Sequence, residues 1–524
     1  MTLSNVNDKV RVVLASAVTT NQLKCVVLFN NSSTPAVPKG RMLLDTNNTT
    51  AVDLLAGLQG TTSLTITQIT IYNKDTVAST VSVSYYNGTD DFILTKQTLQ
   101  PGETLQYNQS EGFFLGSAEV NAINNLINRN NGTFDAFYRQ RFSEPFTIFD
   151  NKQINDKQPL FWDDQLVSGA GGASTYNTNQ ASTTLTVALN TAAVRVRQTF
   201  KHFNYQPGKS HLIIQTGIFG AAGTGVKRKS GLFNSNNGIF FDQQSDGMGV
   251  TIRTFTSGSA VDTRVLQANW NIDKLNGTGA SGITLDFTKT LIWFFDFEWL
   301  GVGTVRWGFF IGGKPVYCHE VNNSNESTLV YMSTPNLPIR HEIENTGTGA
   351  AVGFTQICNT VVSEGGVSET GFPFGFSRGA VPLTTNNNTS IYPLIAIRLK
   401  TGYLGSKISI GKFSIVCTST SAFNYYWILN PTVVGTALNL VDVTNSSVQA
   451  QVDTTNATTL TGGTVIHTGG GQATNENGIS DVLNSDFTLG STIAGVSDIL
   501  VLAVQRVTGT TETFYGSVNI KDKK

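Results

Sequence analysis

The sequence predicts an all-β protein made of β-sandwiches, and three observations predict this class. Apolar and polar residues alternate over many short stretches, with the period of two that β-strands impose. Charged residues make up only 14 % of the chain, against roughly 25 % in ordinary soluble domains. Glycine is abundant, with 51 residues, and glycine supplies the turns that many short strands require.

The stretch 291–318 gives the clearest single prediction, a β-hairpin with one aromatic face. Apolar side chains alternate along both arms, on Trp293, Phe295, Phe297 and Trp299 and then on Val305, Trp307, Phe309 and Ile311. The loop Gly301-Val302-Gly303 joins the arms, and a three-residue loop containing Gly is typical of hairpins. With Leu300 opposite Thr304, this loop places Glu298 opposite Arg306. So many aromatic residues on one face need a second sheet to cover them.

Taken in order, the chain divides into four predicted parts. Residues 1–116 form a small N-terminal β-sandwich, with a hairpin at Asn87-Gly88 and a turn at Pro101-Gly102. Residues 117–150 form a helical connector, because Val120–Ile127 has helical spacing of apolar residues. Residues 151–440 form a large jelly-roll-like sandwich. Residues 441–524 stay β-like, either as a separate domain or as the last strands of the large sandwich.

Charge, cysteine spacing and hydropathy argue against several classes of function. A net charge of -1 gives no electrostatic reason to expect nucleic acid as a partner. Four scattered cysteines without C-x-x-C spacing predict neither a zinc site nor a disulfide framework. No apolar run reaches 18 residues, so no membrane insertion is expected. We also expect no signal peptide and no cofactor. The basic run 227–229 is predicted to lie in a solvated loop.

The carboxylates Asp296 and Glu298 are the most enzyme-like feature, because glycoside hydrolases use paired carboxylates. The stretch is similar to the E-x-D-x-E strand motif of concanavalin-like endoglucanases, in which the first Glu is the nucleophile. Phe294 stands at that first position here, so the motif is broken. We therefore predict that Asp296, Glu298 and Arg306 form a structural ion pair or the rim of a ligand site, and that no residue is catalytic.

Other motifs predict ordinary structure. The acidic pair Asp163-Asp164 lacks the spacing of a calcium loop, and the five histidines lack metal-ligand spacing. The G-x-S-x-G match around Ser377 has no following helix, so it predicts a loop and not a nucleophile elbow. Five aromatic residues are candidates for stacking on sugars, although core packing is the expected role for each: Tyr205, Trp270, Tyr425, Tyr426 and Trp427.

Two regions resemble structural proteins of tailed bacteriophages. Residues 65–115 resemble a module with an "xVYNxDTVxxTVTV" strand pair and a "TLxPGExLxY" strand, here TITQITIYNKDTVASTVSV and TLQPGETLQY. Residues 195–366 resemble uncharacterised virion proteins through RVRQTFKHFNYQPGKS and WLGVGTVRWGFFIGGKPVYCHEV. The hairpin is also similar to concanavalin-like lectin and laminin-G sandwiches, which is an analogy of fold only.

These resemblances imply a structural component of the virion, made in the cytoplasm of the host bacterium. The first expectation is a head fibre or decoration protein that contacts other capsid or tail proteins and forms a homo-oligomer, for example a trimer. The first alternative is a tail-fibre or receptor-binding protein that recognises host surface glycans. The second is a polysaccharide depolymerase, which needs a further carboxylate near Glu298.

Overall fold

The computed structural model describes residues 2–31, 40–56, 63–109, 112–117, 135–136, 144–366, 370–419, 421–472, 479–482 and 487–524. These residues form almost only β-strands, which confirms the predicted all-β class. Three short 3-10 turns, Thr178–Gln180, Gln267–Asn269 and Thr401–Tyr403, are the helical segments in this part of the chain. The chain divides into two compact units, Met1–Asn131 and Gly132–Lys524.

The first unit contains two sheets that share one apolar core, as the sequence predicts. Its strands are β1 (Thr2–Leu3), β2 (Lys9–Leu14), β3 (Lys24–Asn31), β4 (Gly40–Asp45), β5 (Val52–Ala56), β6 (Leu64–Tyr72), β7 (Ser79–Tyr86), β8 (Asp91–Leu99), β9 (Glu103–Asn108) and β10 (Gly112–Ser117). One sheet has the order β10-β9-β6-β3-β4, with β1 on β6, and the other has the order β5-β2-β7-β8. Val12 and Val83 of the second sheet meet Val27 and Ile71 of the first in the core.

The hairpin β7–β8 confirms the turn predicted at Asn87-Gly88. The Asn87 side chain accepts hydrogen bonds from the backbone N–H groups of Thr89 and Asp90, at 2.9 and 2.7 Å. Gly88 has φ +100°, a conformation that glycine adopts readily. Tyr85 then pairs with Phe92 across the ladder.

The second unit begins with a large sandwich of two sheets. Its strands are β11 (Pro145–Lys152), β12 (Trp162–Gly169), β13 (Ala173–Asn177), β14 (Ser182–Val187), β15 (Ala193–Thr199), β16 (His211–Ile218), β17 (Val226–Phe233), β18 (Gly238–Gln244), β19 (Gly247–Thr254), β20 (Val261–Leu266), β21 (Leu291–Phe297), β22 (Thr304–Ile311), β23 (Lys314–Asn322), β24 (Ile339–Asn345) and β25 (Val352–Glu364). The front sheet, β13-β14-β25-β16-β21-β22-β23 with β11 on β25, contains the predicted hairpin as β21–β22. The back sheet has the order β12-β15-β24-β17-β18-β19-β20.

A further set of strands forms its own sheets around a separate core. They are β26 (Phe372–Ser377), β27 (Leu383–Thr385), β28 (Tyr392–Leu399), β29 (Lys407–Cys417), β30 (Ala422–Leu429), β31 (Thr432–Gly435), β32 (Val441–Asp442), β33 (Val448–Gln451), β34 (Thr458–Thr461), β35 (Thr464–Gln472), β36 (Ile479–Val482), β37 (Ile499–Arg506) and β38 (Glu512–Lys523). One sheet is β26-β38-β29-β36 with β27 on β38, and another is β32-β33-β28-β37-β30-β35. Strands β31 and β34 form a two-stranded ladder.

This pairing corrects the predicted boundary at residue 440. Strand β28 pairs with β37, and β29 pairs with β38, so neither belongs to a sheet of the large sandwich. The division between the two sandwiches therefore falls between β25 and β26, and 441–524 supplies only part of the second one. Alternation of apolar residues identifies a strand without identifying its partner, which is why the boundary was misplaced.

The predicted connector 117–150 is only partly described. The helix expected at Val120–Ile127 lies outside the described residues. The end of the segment is strand β11, which pairs with β25 and places Phe149 in the core of the large sandwich.

Candidate functional site

Asp296, not Glu298, lies opposite Arg306 on the neighbouring strand. The ladder pairs Asp296 with Arg306 and Phe295 with Trp307, so the predicted register is wrong by two residues. The loop causes this shift. The Glu298 N–H donates to the carbonyl of Thr304 and the Gly303 N–H donates to that of Trp299, at 3.0 and 2.8 Å. The loop therefore contains five residues, 299–303, instead of three.

The ion pair between Asp296 and Arg306 is a core feature. The two side chains approach within 2.5 Å and are 0 and 1 % exposed. The Tyr317 hydroxyl also donates to Asp296 Oδ2 at 3.3 Å, and the Arg306 guanidinium lies 4.5 Å from the centre of the Tyr317 ring. The pair therefore lies in the protein interior and not on the rim of an open site.

Glu298 has a different partner from the one predicted. The hydroxyl of Tyr205 donates to Glu298 Oε2 at 2.8 Å, and both side chains are buried. Burial raises the pKa of Tyr205, and the negative charge of Glu298 raises it further, so the phenol remains protonated and able to donate. The carboxylate pair that most suggested catalysis is thus held inside the fold by two separate sets of donors.

Asp164 and the basic run 227–229 also form ion pairs and hydrogen bonds within the fold. The side chain of Asp164 is 8 % exposed and binds Arg195 and Arg197 across the ladder of β12 and β15. Burial raises the pKa of Asp164, but the hydrogen bond from Ser174 and the charges of these two arginines lower it below its ordinary value. The basic run 227–229 is part of strand β17 and not a loop. Lys227 and Lys229 pair there with the carboxylates of β24, and Arg228 is buried against backbone carbonyls.

The aromatic residues considered for sugar stacking mostly lie in the cores. Tyr205, Trp270, Tyr425 and Trp427 are between 0 and 5 % exposed, and Tyr426 is half-buried. The expected role in core packing fits this burial. Among the described residues, no group of three or more His, Cys, Asp or Glu side chains is arranged to hold a metal ion. In the same part of the chain, no helix is long and apolar enough to span a membrane.

A groove lies where the two sheets of the large sandwich end on the same side. Strand β20 is the last strand of the back sheet and β23 is the last of the front sheet. The groove between them has a volume of about 450 Å³ and we call it the edge groove. Its lining consists of Val250, Ile252, Thr254, Thr256, Thr263, Val265, Trp307, His319, Val321, Asn323 and residues 326–331.

Aromatic and aliphatic side chains form the floor of the edge groove. Trp307 and His319 lie side by side, with ring centres 5.8 Å apart, on adjacent strands of the front sheet. The backbone N–H of Asn271 donates to His319 Nδ1 at 3.2 Å. Burial lowers the pKa of His319 to about 4, so the imidazole is neutral at neutral pH. Trp307 itself is 0 % exposed, so its ring lies beneath the floor as part of the core, and its indole N–H has no hydrogen-bond partner among the described residues.

The segment 323–331 forms the lip of the edge groove, and the β21–β22 loop fixes it at both ends. At one end, the Asn323 amide donates to the carbonyl of Gly303 at 2.8 Å. At the other, the backbone N–H of Tyr331 donates to the carbonyl of Gly301 at 2.9 Å, and its hydroxyl donates to the carbonyl of Glu298 at 3.1 Å. The lip is therefore preformed, and the hairpin that dominates the sequence positions it.

Little in the amino-acid pattern indicates the edge groove. Its residues come from four strands and two loops spread over 82 positions of the chain, from Val250 to Tyr331. Only Trp307 stood out, because it belongs to the aromatic hairpin. The threonines Thr254, Thr256 and Thr263 look like ordinary strand residues until β20 and β23 are known to lie across from each other.

No protein-family model matches the chain, and no curated protein matches it in sequence. Among solved structures, it is similar to the metal-free carbohydrate recognition domain of Emp46p, with 10 % identity, 42 % of this chain and 97 % of that chain covered, and a TM-score of 0.27. It is also similar to a glycosyl hydrolase family 16 protein from Mycobacterium smegmatis, with 10 % identity, 41 and 100 % covered, and a TM-score of 0.27. Arcelin-5, a lectin-like defense protein from Phaseolus vulgaris, has 9 % identity, 42 and 99 % covered, and a TM-score of 0.25. Similarity at this level assigns neither a ligand nor an activity.

Proposed function

We propose that this chain is a glycan-binding protein that holds a short oligosaccharide in the edge groove without cleaving it. The observation that carries the proposal is the composition of the groove. An apolar floor that includes the partly exposed Val265 and Val321 lies beside a wall of threonine side chains and a lip of polar residues. Sites for small ligands combine apolar surface with a few well-placed polar groups, and their volumes run from about 300 to 1,000 Å³.

The fixed lip supports the same proposal. Asn323 and Tyr331 donate hydrogen bonds to the β21–β22 loop and hold the lip at both ends. A preformed site loses less entropy when the ligand binds.

The positions of the carboxylates favour binding over hydrolysis. Glycosidases place two carboxyl groups on either side of the scissile bond. The described lining of the edge groove contains one carboxylate, Glu326. Asp296 and Glu298 are 0 % exposed and already bind Arg306 and Tyr205.

A glycan array followed by calorimetry on the best ligand tests this proposal. Thr263 is exposed on the groove wall, so Thr263→Trp fills the groove with an indole and should reduce binding by at least about tenfold. Ser259→Trp introduces the same side chain at an exposed position of the same hairpin that does not line the groove. Binding that survives Thr263→Trp, or that both variants abolish equally, would place the ligand elsewhere.

A second candidate function concerns the particle in which the protein works. The resemblance of residues 65–115 and 195–366 to tailed-phage proteins favours a structural component of a virion, as a head fibre or decoration protein or as a tail fibre. In a tail fibre the edge groove would meet a surface glycan of the host. Immunogold electron microscopy of purified particles, with an antibody against the large sandwich, tests this candidate. Label on the head or on the tail tip supports it and separates the two positions, and particles without label contradict it.

A further inference from the structure

We infer that the edge groove selects uncharged sugars and discriminates against acidic ones such as uronates and sialates. This inference rests on the proposed function and adds the class of glycan. Its basis is the distribution of charge around the groove. Among the described lining residues there is no Lys or Arg, and the ionised side chain is that of Glu326, which is exposed on the lip.

The nearest cations of the wall strands point away from the groove. Thr254, Thr263 and Val265 face the groove, so the alternation along β19 and β20 turns Arg253 and Arg264 to the opposite face. Both arginines are also paired there. Arg253 binds Asp262 at 2.7 Å, and Arg264 binds Asp246 at 2.8 Å. Neither guanidinium is therefore offered to an anion in the groove.

The floor provides no positive charge either. His319 is the one titratable nitrogen base in the lining, and its pKa of about 4 leaves it neutral at neutral pH. On the floor strand β23, the alternation that turns His319 and Val321 toward the groove turns Glu320 to the opposite face. A sugar carboxylate would meet the charge of Glu326 without a compensating cation, and like charges repel.

Uncharged sugars match the groups that the groove does provide. Five aliphatic hydroxyls line it, on Thr254, Thr256, Thr263, Ser327 and Thr328. A hydroxyl donates one hydrogen bond and accepts others, so it suits the hydroxyls of a neutral sugar, which also do both. The partly exposed aliphatic side chains of Val265 and Val321 suit the C–H face of a pyranose ring.

The inference is tested with pairs of oligosaccharides that differ only in acidic groups, such as a sialylated glycan and its desialylated form. The wild-type protein should bind the uncharged member roughly two- to fivefold more tightly, which lies within the range for one partly screened charge contact. The affinity for the uncharged member should also stay constant between low and high salt. Glu326→Lys should reverse the preference, whereas Asp90→Lys makes the same charge change at an exposed site of the other unit.

The outcomes separate the two proposals. Binding of neither member, together with no hit on the array, overturns glycan binding itself. Tighter binding of the acidic member, lost in Thr263→Trp, keeps the proposed function and overturns the selection of uncharged sugars. If Glu326→Lys and Asp90→Lys shift the preference equally, the discrimination comes from the net charge of the protein and not from the groove, which also overturns the inference.

Discussion

Arg306 and Asp296 face each other on adjacent strands and form an ion pair at 2.5 Å that is sealed from solvent. Removing one member of such a pair leaves a charge buried without its counter-ion, and this typically costs about 3–5 kcal/mol. Replacing Asp296 by Ala should therefore lower the free energy of unfolding by about that amount. Urea unfolding followed by intrinsic fluorescence measures it.

The double variant Asp296→Leu/Arg306→Met is the matched control for that experiment. Replacing both members of a buried pair by apolar residues is often neutral, so the double variant should be more stable than Asp296→Ala. A double variant that is less stable than the single one would contradict this, and would mean that Arg306 stabilises the fold through its packing on the Tyr317 ring, 4.5 Å away, by more than its unpaired charge costs.

The variant Glu298→Gln should fold like the wild type, and neither protein should cleave a glycan. The amide oxygen of Gln can still accept the hydrogen bond that Tyr205 donates at 2.8 Å. Reducing-end release from bacterial surface polysaccharide, measured with wild type and variant, is the test. Release by the wild type that disappears in the variant would make Glu298 catalytic and contradict non-catalytic binding.

Stability should fall as the pH drops from about 6.5 to 4.5. Burial lowers the pKa of His211 to about 4 and that of His341 to about 3, while an unfolded histidine titrates near 6.5. In this window the unfolded chain binds protons that the folded chain does not, so acid favours unfolding. The pKa of Glu342 is about 2 in the folded protein and 4.5 in the unfolded chain, so Glu342 adds to the loss of stability only at pH values below about 4.5.

The variant His211→Phe isolates this effect. Both ring nitrogens of His211 are buried without a partner among the described residues, and Tyr205 and Phe297 contact the ring. A phenyl ring is therefore expected to fit. Thermal melting between pH 6.5 and 4.5 should show a smaller decrease for the variant than for wild type. An unchanged decrease would mean that His211 is protonated in the folded state.

Gly301→Ala should weaken glycan binding, whereas the control Gly313→Ala should not. Gly301 has φ +81°, and a Cβ there would lie 2.9 Å from Val330 Cγ1, on the lip of the edge groove. Gly313 has a similar φ of +77° but no atom within 4 Å of an added Cβ. Both substitutions carry the same backbone cost of about 1–2 kcal/mol, and only Gly301→Ala displaces the lip. Calorimetry should show weaker binding for Gly301→Ala alone, and equal binding by both would contradict the role of the lip.

The hairpin β21–β22 shows what the sequence can and cannot predict. Alternation identified both arms and the aromatic face that is now buried in the core, including Trp293, Phe295 and Trp307. The register was wrong by two, and a shift of two keeps every side chain on its face, so alternation cannot detect it. Leu300 also adopts a positive φ of 36°, which is unusual for a residue without a short polar side chain and gave no local signal of a longer loop.

The edge groove was beyond prediction for a different reason. Its shape depends on which strands end the two sheets, and that order arises from pairing between segments far apart in the chain. For example, β25 pairs with both β14 and β16, whose residues precede it by more than 130 positions. The local sequence of a strand does not indicate which distant strand pairs with it. The burial of Asp296 and Glu298 was missed for the same reason.

The position of β38 in the C-terminal sandwich has a consequence for synthesis. Strand β38 pairs with β26, β27 and β29, so its ladders bring together segments made more than 90 residues earlier. On the ribosome, the N-terminal sandwich has all its strands once residue 117 has emerged, and domains generally fold in that order. The C-terminal sandwich, formed by β26 to β38, has all its strands only once residue 523 has been made. Until then the apolar faces of β28 and β29 are uncovered. Premature termination late in translation would therefore leave an aggregation-prone chain, because the missing strand lies inside its sheet and not at an edge.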